Sequence, residues 1–180
     1  MLGGPPFVRD AAVMAVIFGV AAFIWFGWGQ ENPPRRWRLW LGVGSGLGLL
    51  VAVIGGVLSW QHWGPESALA DAEARRLFGI VAGIEFGLAG IGAAFLGLTG
   101  RSRWIPVWIA FVVGVHFVPL AHIFADAGLI VLAVAMVVAG VLGVVEYRRS
   151  GSTPSAVVGM GSGVALLAFA VRAVVEVLLR

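Results

Sequence analysis

The stretch "GIVAGIEFGLAG" (residues 79–90) is apolar except for one acidic side chain, Glu85. A second apolar stretch, "VVGVHFVPLAHIF" (residues 112–124), carries an imidazole, His116, near its middle. As helices, apolar runs of about 20 residues are long enough to cross the roughly 30 Å hydrocarbon core of a bilayer. The two stretches lie within apolar runs of this length, residues 77–98 and 104–124. They therefore predict membrane-spanning helices, each with an ionisable group at a depth where such groups are costly and commonly functional.

The composition of the whole chain agrees with a membrane protein. Of its 180 residues, 60% are hydrophobic and only 12% are charged, whereas about 25% are charged in an average soluble domain. The chain has no cysteine, which excludes disulfides, thiolate metal sites and cysteine nucleophiles. All basic residues are arginine, and without lysine the chain cannot form a Schiff base. The arginines form short clusters between apolar runs, which is typical of membrane topology and does not indicate nucleic-acid binding.

The apolar runs predict an all-α integral membrane protein, with six transmembrane helices in a compact bundle of three antiparallel hairpins. We expect one membrane domain over residues 1–180, whose first span is retained because no small-residue cleavage site follows it. The segment 65–76 has acids early and arginines late, which predicts a helical extension outside the membrane. The predicted spans are approximately 11–29, 39–60, 77–98, 104–124, 127–147 and 156–179.

The distribution of arginine predicts how the chain lies in the cell membrane. The loops after the first, third and fifth spans hold more arginines than the opposite side of the membrane. The positive-inside rule therefore places these loops in the cytoplasm and both termini outside. The loop arginines are Arg35, Arg36, Arg38, Arg101, Arg103, Arg148 and Arg149, and the opposite side holds Arg9, Arg75, Arg76 and Arg180.

Small residues dominate the third span. Gly79, Gly83, Gly87 and Gly90 form a stripe roughly opposite Glu85 on a helix of 3.6 residues per turn. Close backbone approach at glycine drives helix association in membranes. We therefore expect the third span to be the central helix of the bundle. Such a glycine seam is also an expected interface for a homodimer or for a membrane partner protein.

Glu85 and His116 are predicted to face each other. Each lies roughly 15 residues from the turn between the third and fourth spans, or about 23 Å along its helix. In an antiparallel hairpin the two side chains then share one depth, within reach of each other. A charged carboxylate there costs about 2.5–3.5 kcal/mol, and keeping a glutamic acid neutral at pH 7 costs about 3.7 kcal/mol. A partner therefore decides the protonation state, and the pair is predicted to titrate as one unit.

Pro119 adds a second polar feature near His116. It lacks an N–H and leaves the carbonyl of Val115 without its helical donor. We expect this carbonyl to lie beside the imidazole. The Glu85–His116 pair is then either a proton-linked binding site or a structural hydrogen bond between helices.

Several other polar residues gather toward the predicted outer end. Arg172 and Glu176 lie one helical turn apart, so they either form an i,i+4 pair or extend to the membrane surface, and we expect the second. The polar residues at this end either line a vestibule leading to Glu85 or form a wetted rim. They are Asp10, His62, Arg75, Arg76, His122, Asp126, Arg172 and Glu176, of which His122, Asp126, Arg172 and Glu176 are the vestibule candidates.

Three functions are open from the sequence alone. The first is binding or transport of a small solute or of protons at Glu85 and His116. The second is a non-catalytic membrane subunit or assembly partner of a larger complex. The third is a b-type haem protein that uses His116, since His122 points away from it on the same helix. We expect no cofactor, no metal and no catalytic residue, because too few ligands lie at depth and no Ser-His-acid arrangement occurs.

Overall fold

The computed structural model describes residues 4–180, which form six α-helices and no β-strand. Short 3₁₀ turns at Ala68–Ala70 and Ser102–Trp104 precede the third and fourth helices. All six helices are long and apolar enough to cross a membrane, which confirms the predicted all-α class and the predicted number of long apolar helices. Residues 1–3 of the predicted single domain lie outside the described residues. The helices are α1 (Val8–Trp28), α2 (Arg35–Gln61), α3 (Ala72–Leu98), α4 (Ile105–Ile123), α5 (Gly128–Ser150) and α6 (Pro154–Leu178).

Local sequence explains where α3 begins and where α5 ends. The Asp71 carboxylate accepts hydrogen bonds from the backbone N–H groups of Glu73 at 2.8 Å and Ala74 at 2.9 Å. These bonds, chiefly the one from Ala74, hold the pKa of Asp71 below its ordinary value. Only the last part of the predicted extension 65–76 is therefore α-helical. At the other end, Gly151 takes a left-handed φ of +72° and ends α5.

Glycines bring α1 into backbone contact with α2 and α6. A Cβ on Gly19 of α1 would lie 2.7 Å from the backbone nitrogen of Ala52 in α2. A Cβ on Gly159 of α6 would lie 2.6 Å from the Cα of Gly29, just after α1. Such distances leave no room for a side chain, so only glycine permits this approach. Because α6 also contacts α4 and α5, these five helices make up the body of the bundle.

The third helix lies at the edge of the bundle, so the expectation that it is central is wrong. Its main helix neighbour is α4, and none of its residues is buried. A Cβ on Gly79, Gly83, Gly87 or Gly90 would meet no atom within 4 Å. The predicted glycine seam therefore faces away from the other helices, and the opposite face of α3, with Glu85, meets α4.

One tryptophan fixes the contact between α3 and α4. The indole Nε1 of Trp108 donates a hydrogen bond of 2.9 Å to the Leu88 carbonyl. The indole lies so close to Gly92 that a Cβ there would overlap it. Nearer the start of α3, the rings of Phe78 and Phe124 meet edge to face at 6.1 Å. These contacts set the height and rotation at which α3 presents Glu85 to α4.

This contact yields a first prediction. We expect Gly92→Ala to lower the stability of the protein by about 1–3 kcal/mol, because the added methyl group displaces the Trp108 indole. Thermal unfolding in detergent, followed by tryptophan fluorescence, measures the effect. Gly83→Ala is the matched control on the same helix, and we expect it to be neutral or slightly stabilising because its Cβ meets no neighbour. Equal changes for both variants would contradict this account of the α3–α4 contact.

Candidate functional site

Glu85 and His116 meet between α3 and α4, as the sequence predicted. The Oε2 atom of Glu85 lies 3.4 Å from the Nε2 atom of His116, and each side chain is 15% exposed. This is an ion-pair distance, and it is longer than a well-formed hydrogen bond. The predicted pairing is confirmed, whereas the binding role of these residues stays a prediction.

The contact made by the Nδ1 atom of His116 determines which ring nitrogen is free to share a proton with Glu85. The Nδ1 atom is 2.7 Å from the carbonyl oxygen of Val113. Because a carbonyl only accepts hydrogen bonds, Nδ1 carries a hydrogen and Nε2 is left to face Glu85. One exchangeable proton then serves the Nε2–Oε2 contact. The carbonyl that contacts the imidazole belongs to Val113. The expected position of the Val115 carbonyl, which Pro119 deprives of its donor, stays a prediction.

The pair lies on the wall of a large cleft bounded mainly by α1, α3 and α4. The cleft has a volume of about 1200 Å³, and apolar side chains form most of its wall. Aromatic rings are frequent along its length: Phe18, Trp25, Phe78, Phe86, Phe117 and Phe124. Glu85 lies about 15 Å along α3 from Arg75, which lines the other end of the cleft.

That other end, the polar mouth, is formed by the start of α1, the start of α3 and the segment 63–70. The Asp10 carboxylate accepts hydrogen bonds from the Ser67 hydroxyl and from the Ala68 backbone N–H, both at 2.7 Å. Arg9 donates to the Gly64 carbonyl at 2.7 Å, and its guanidinium lies 4.3 Å from the centre of the Trp63 ring. These contacts tie the segment 63–70 to α1. Sequence reasoning grouped Asp10 with the outer polar residues but gave no sign of this tether.

The second arginine of the polar mouth is also held by backbone groups. Arg75 donates through its Nη1 atom to the carbonyls of Leu69 and Ala70, the former at 2.9 Å. Both arginines therefore help to fold the segment 63–70 and also line the cleft. The mouth carries two guanidinium groups and one carboxylate that is already hydrogen-bonded.

The four vestibule candidates lie elsewhere. Asp126, which is 2% exposed, accepts a 2.9 Å bond from Arg172 and a 2.8 Å bond from the Gly128 backbone N–H. Arg172 also pairs with Glu176 at 2.8 Å. The i,i+4 pair of Arg172 and Glu176, the less expected of the two alternatives, is therefore confirmed. This cluster of Asp126, Arg172 and Glu176 joins the α4–α5 turn to α6, and none of its members lines the large cleft. His122 is exposed and lies outside both the cluster and the cleft.

Within residues 4–180, no group of three or more histidine, aspartate or glutamate side chains could hold a metal ion. Of the three histidines, His116 lines the cleft, and its Nε2 atom faces Glu85. Comparisons with protein-family models, curated proteins and solved structures gave no match.

The tether at the polar mouth yields a second prediction. Asp10→Ala removes the acceptor of two charge-assisted hydrogen bonds, a loss of about 2–4 kcal/mol of local stability. We expect amide hydrogen exchange across residues 64–70 to speed up by roughly thirtyfold or more. Asp71→Ala is the matched control, since the hydrogen bonds that Asp71 accepts cap α3. Its effect should stay at the start of α3, and an equal effect of both variants on 64–70 would contradict the tether.

Proposed function

We propose that the protein is a multi-pass membrane protein whose six helices cross the bilayer as three antiparallel hairpins. Its exposed surface supports this proposal. Large apolar side chains point outward on the helices, among them Phe86 at 74% exposure, Ile91 at 73% and Leu98 at 90%. A soluble monomer rarely exposes a continuous apolar surface of this extent. In a bilayer the same side chains face lipid tails.

We propose further that both termini lie outside the cell membrane and that the loops rich in arginine lie in the cytoplasm. The polar mouth, at the starts of α1 and α3, then opens toward the outside. The Glu85–His116 pair lies deeper, within the hydrocarbon.

The orientation is testable because the chain has no cysteine of its own. We expect a cysteine introduced at Glu66 to react with a membrane-impermeant maleimide in intact cells, because this residue is exposed outside the helices. A cysteine at Ser102, in the turn between α3 and α4, should react only after the membrane is opened. The reverse pattern would invert the proposed topology.

For the function itself, we propose that the protein binds a small ligand in the cleft with exchange of the proton shared by Glu85 and His116. The observation that carries this proposal is the position of the pair: its two polar groups lie on the wall of an apolar cleft of about 1200 Å³. A purely structural pair would be expected to be enclosed by packed side chains. Here a ligand can reach the carboxyl group.

The chemistry of the pair supports a proton-linked site. With Nδ1 of His116 held by the Val113 carbonyl, removal of the shared proton leaves a carboxylate and a neutral imidazole. That state has one negative charge in a surrounding of low dielectric constant and needs a counter-charge or hydrogen-bond donors. A ligand that supplies them replaces the proton. Transport would follow if the cleft also opened to the cytoplasmic side.

The third prediction concerns the carboxyl group. Purified protein in nanodiscs is mixed with dodecylamine, dodecanol or dodecanoate, and binding and pH change are measured by calorimetry in two buffers. We expect at least one of the three to bind with a proton change, and Glu85→Gln to abolish that proton change because an amide does not titrate. Glu73→Gln, an exposed acid on the same helix that does not line the cleft, should leave it unaltered.

Should no probe bind with a proton change that depends on Glu85, the proposed function is wrong. Glu85→Asp keeps a carboxyl group and controls for misfolding of the Gln variant. Partial recovery of binding in Glu85→Asp supports a chemical role for the group.

One observation favours the alternative of a membrane subunit or assembly partner. The glycine face of α3 meets no other helix among the described residues. This alternative predicts that the protein co-purifies with a second membrane protein and that Glu85→Gln changes only stability. A protein that purifies alone and binds one of the probes would count against it.

A further inference from the structure

We infer that the ligand is a lipophilic cation, such as an amine or quaternary ammonium on an apolar body, which reaches Glu85 sideways from the bilayer. This inference rests on the proposed function and assigns the chemical class of the ligand and its route. Three features of the cleft support this inference: the charges that line the cleft, the aromatic rings in its wall, and the side on which the cleft is open.

The charges that line the cleft favour a cation at depth. Its lining holds two acids, Asp10 and Glu85. Asp10 is 6% exposed, and the Ser67 hydroxyl and the Ala68 N–H already occupy its two oxygens. Glu85 has His116 as its one polar contact among residues 4–180, at 3.4 Å. Glu85 is therefore the acid in this cleft that lacks strong hydrogen-bond donors, and a cation would compensate its charge.

The wall around the pair is suited to an organic cation. The rings of His116 and Phe117 lie 4.5 Å apart, and Phe18 meets Phe117 edge to face at 5.8 Å. Phe86, one residue after Glu85, also lines the cleft and is 74% exposed. The negative faces of aromatic rings attract cations, and more strongly where water is scarce. The aromatic wall thus adds to the attraction of the carboxylate for a positive group.

The surrounding lipid makes charge the deciding property. Lipid tails are as apolar as the cleft wall, so a ligand gains little from moving its apolar body out of the bilayer and into the cleft. Binding must therefore come from the polar contact at Glu85. A neutral amphiphile has no charge to place there, and an anion would be repelled by the carboxylate. A cation balances the charge when it displaces the proton: the carboxylic acid and the free cation become a carboxylate–cation pair and a released proton.

The cleft is open toward the lipid. Ile17, Val20 and Ile24 of α1 line it and are 54%, 41% and 55% exposed. Phe86 of α3 lines the cleft from the other side. The gap between α1 and α3 is therefore a lateral opening, which exists because α3 packs mainly against α4 and leaves α1 uncovered.

The polar mouth offers a poorer route for a cation. Arg9 and Arg75 line it, and the segment 63–70 is tied across it by Asp10. A cation that approached from this end would pass two guanidinium groups of its own sign. The described residues that line the lateral opening, Ile17, Val20, Ile24 and Phe86, are uncharged.

The test compares four probes that share a dodecyl chain, each mixed with the protein in nanodiscs. Dodecyltrimethylammonium and dodecylamine are cations, dodecanol is neutral and dodecanoate is an anion. We expect the permanently charged ammonium to bind about tenfold or more tightly than dodecanol, and dodecanoate to bind weakest. Binding of the ammonium should release about one proton and strengthen by up to about tenfold per pH unit while the pair is protonated. Besides Glu85, the titratable or charged groups that line the cleft are His116 on α4, Arg9 and Asp10 on α1, and Arg75 on α3.

Glu85→Gln should reduce the affinity for dodecyltrimethylammonium to that for dodecanol, Glu85→Asp should keep the preference for the cation, and Glu73→Gln should match the unaltered protein. If dodecanol or dodecanoate binds with the Glu85-dependent proton change and the cations do not, the assigned ligand class is wrong while the proposed function stands. If no probe shows such a change, both are wrong. The route is tested separately: Ile17→Trp, placed in the lateral opening, should slow binding of the ammonium, and an unchanged rate would overturn the sideways route.

Discussion

A polar group that is removed from water must find a partner, and this constraint orders the interior of the protein. Asp10 is held by the Ser67 hydroxyl and the Ala68 N–H, and Asp126 by Arg172 and the Gly128 N–H. The two contacts of Asp10 and the Asp126–Arg172 contact join segments that are distant in the sequence. The start of α1 is thereby fixed to the segment before α3, and the α4–α5 turn to α6. Two hydroxyls of α6, those of Ser155 and Ser162, have no such partner among the described residues.

Glycine decides how closely the helices approach, and its effect differs from one helix to the next. At Gly19 and Gly159 a side chain would collide with the backbone of a neighbouring helix. On α3 the four spaced glycines have no neighbour within 4 Å of a Cβ. The five helices other than α3 form a closely packed body, and α3 is attached to it through α4. The cleft is the consequence, since it occupies the space where α3 does not reach α1.

The sequence predicted the six helices and the meeting of Glu85 with His116, because both follow from lengths. Helix rise and the position of one turn are enough to place two side chains at the same height. The position of α3 could not be predicted in this way. In a soluble protein the apolar face of a helix marks its buried side, but lipid and protein interior are equally apolar, so the pattern of α3 does not distinguish them. The glycines of α3 were wrongly expected to mark a contact with other helices, because a face of small residues is also tolerated where no helix packs against it.

The polar contacts at the ends of the helices were harder to predict than the pair at depth. The Asp126–Arg172 contact depends on the shape of the α4–α5 turn, where Ala125 takes a φ of +49° that is rare for a residue with a side chain. The tether of Asp10 depends on how the segment 63–70 folds back over α1. Neither shape follows from hydropathy or helical periodicity. Of the vestibule candidates, Asp126, Arg172 and Glu176 therefore meet in a cluster that does not line the cleft, and His122 lies outside that cluster.

Asp10, Asp126 and Glu85 differ in how well their carboxylates are hydrogen-bonded, and this difference singles out Glu85. Asp10 accepts two hydrogen bonds of 2.7 Å, and Asp126 accepts two of 2.9 Å and 2.8 Å. Glu85 has one contact of 3.4 Å, although it lies furthest from the polar ends of the helices. If the helices cross the bilayer as proposed, a purely structural acid in the middle of a helix would be expected to have the most complete set of partners, because water is least able to solvate it there. Of these three acids, the one with the fewest partners lies on the helix with the fewest neighbours, on the wall of the cleft, where an incoming ligand can supply what the protein does not.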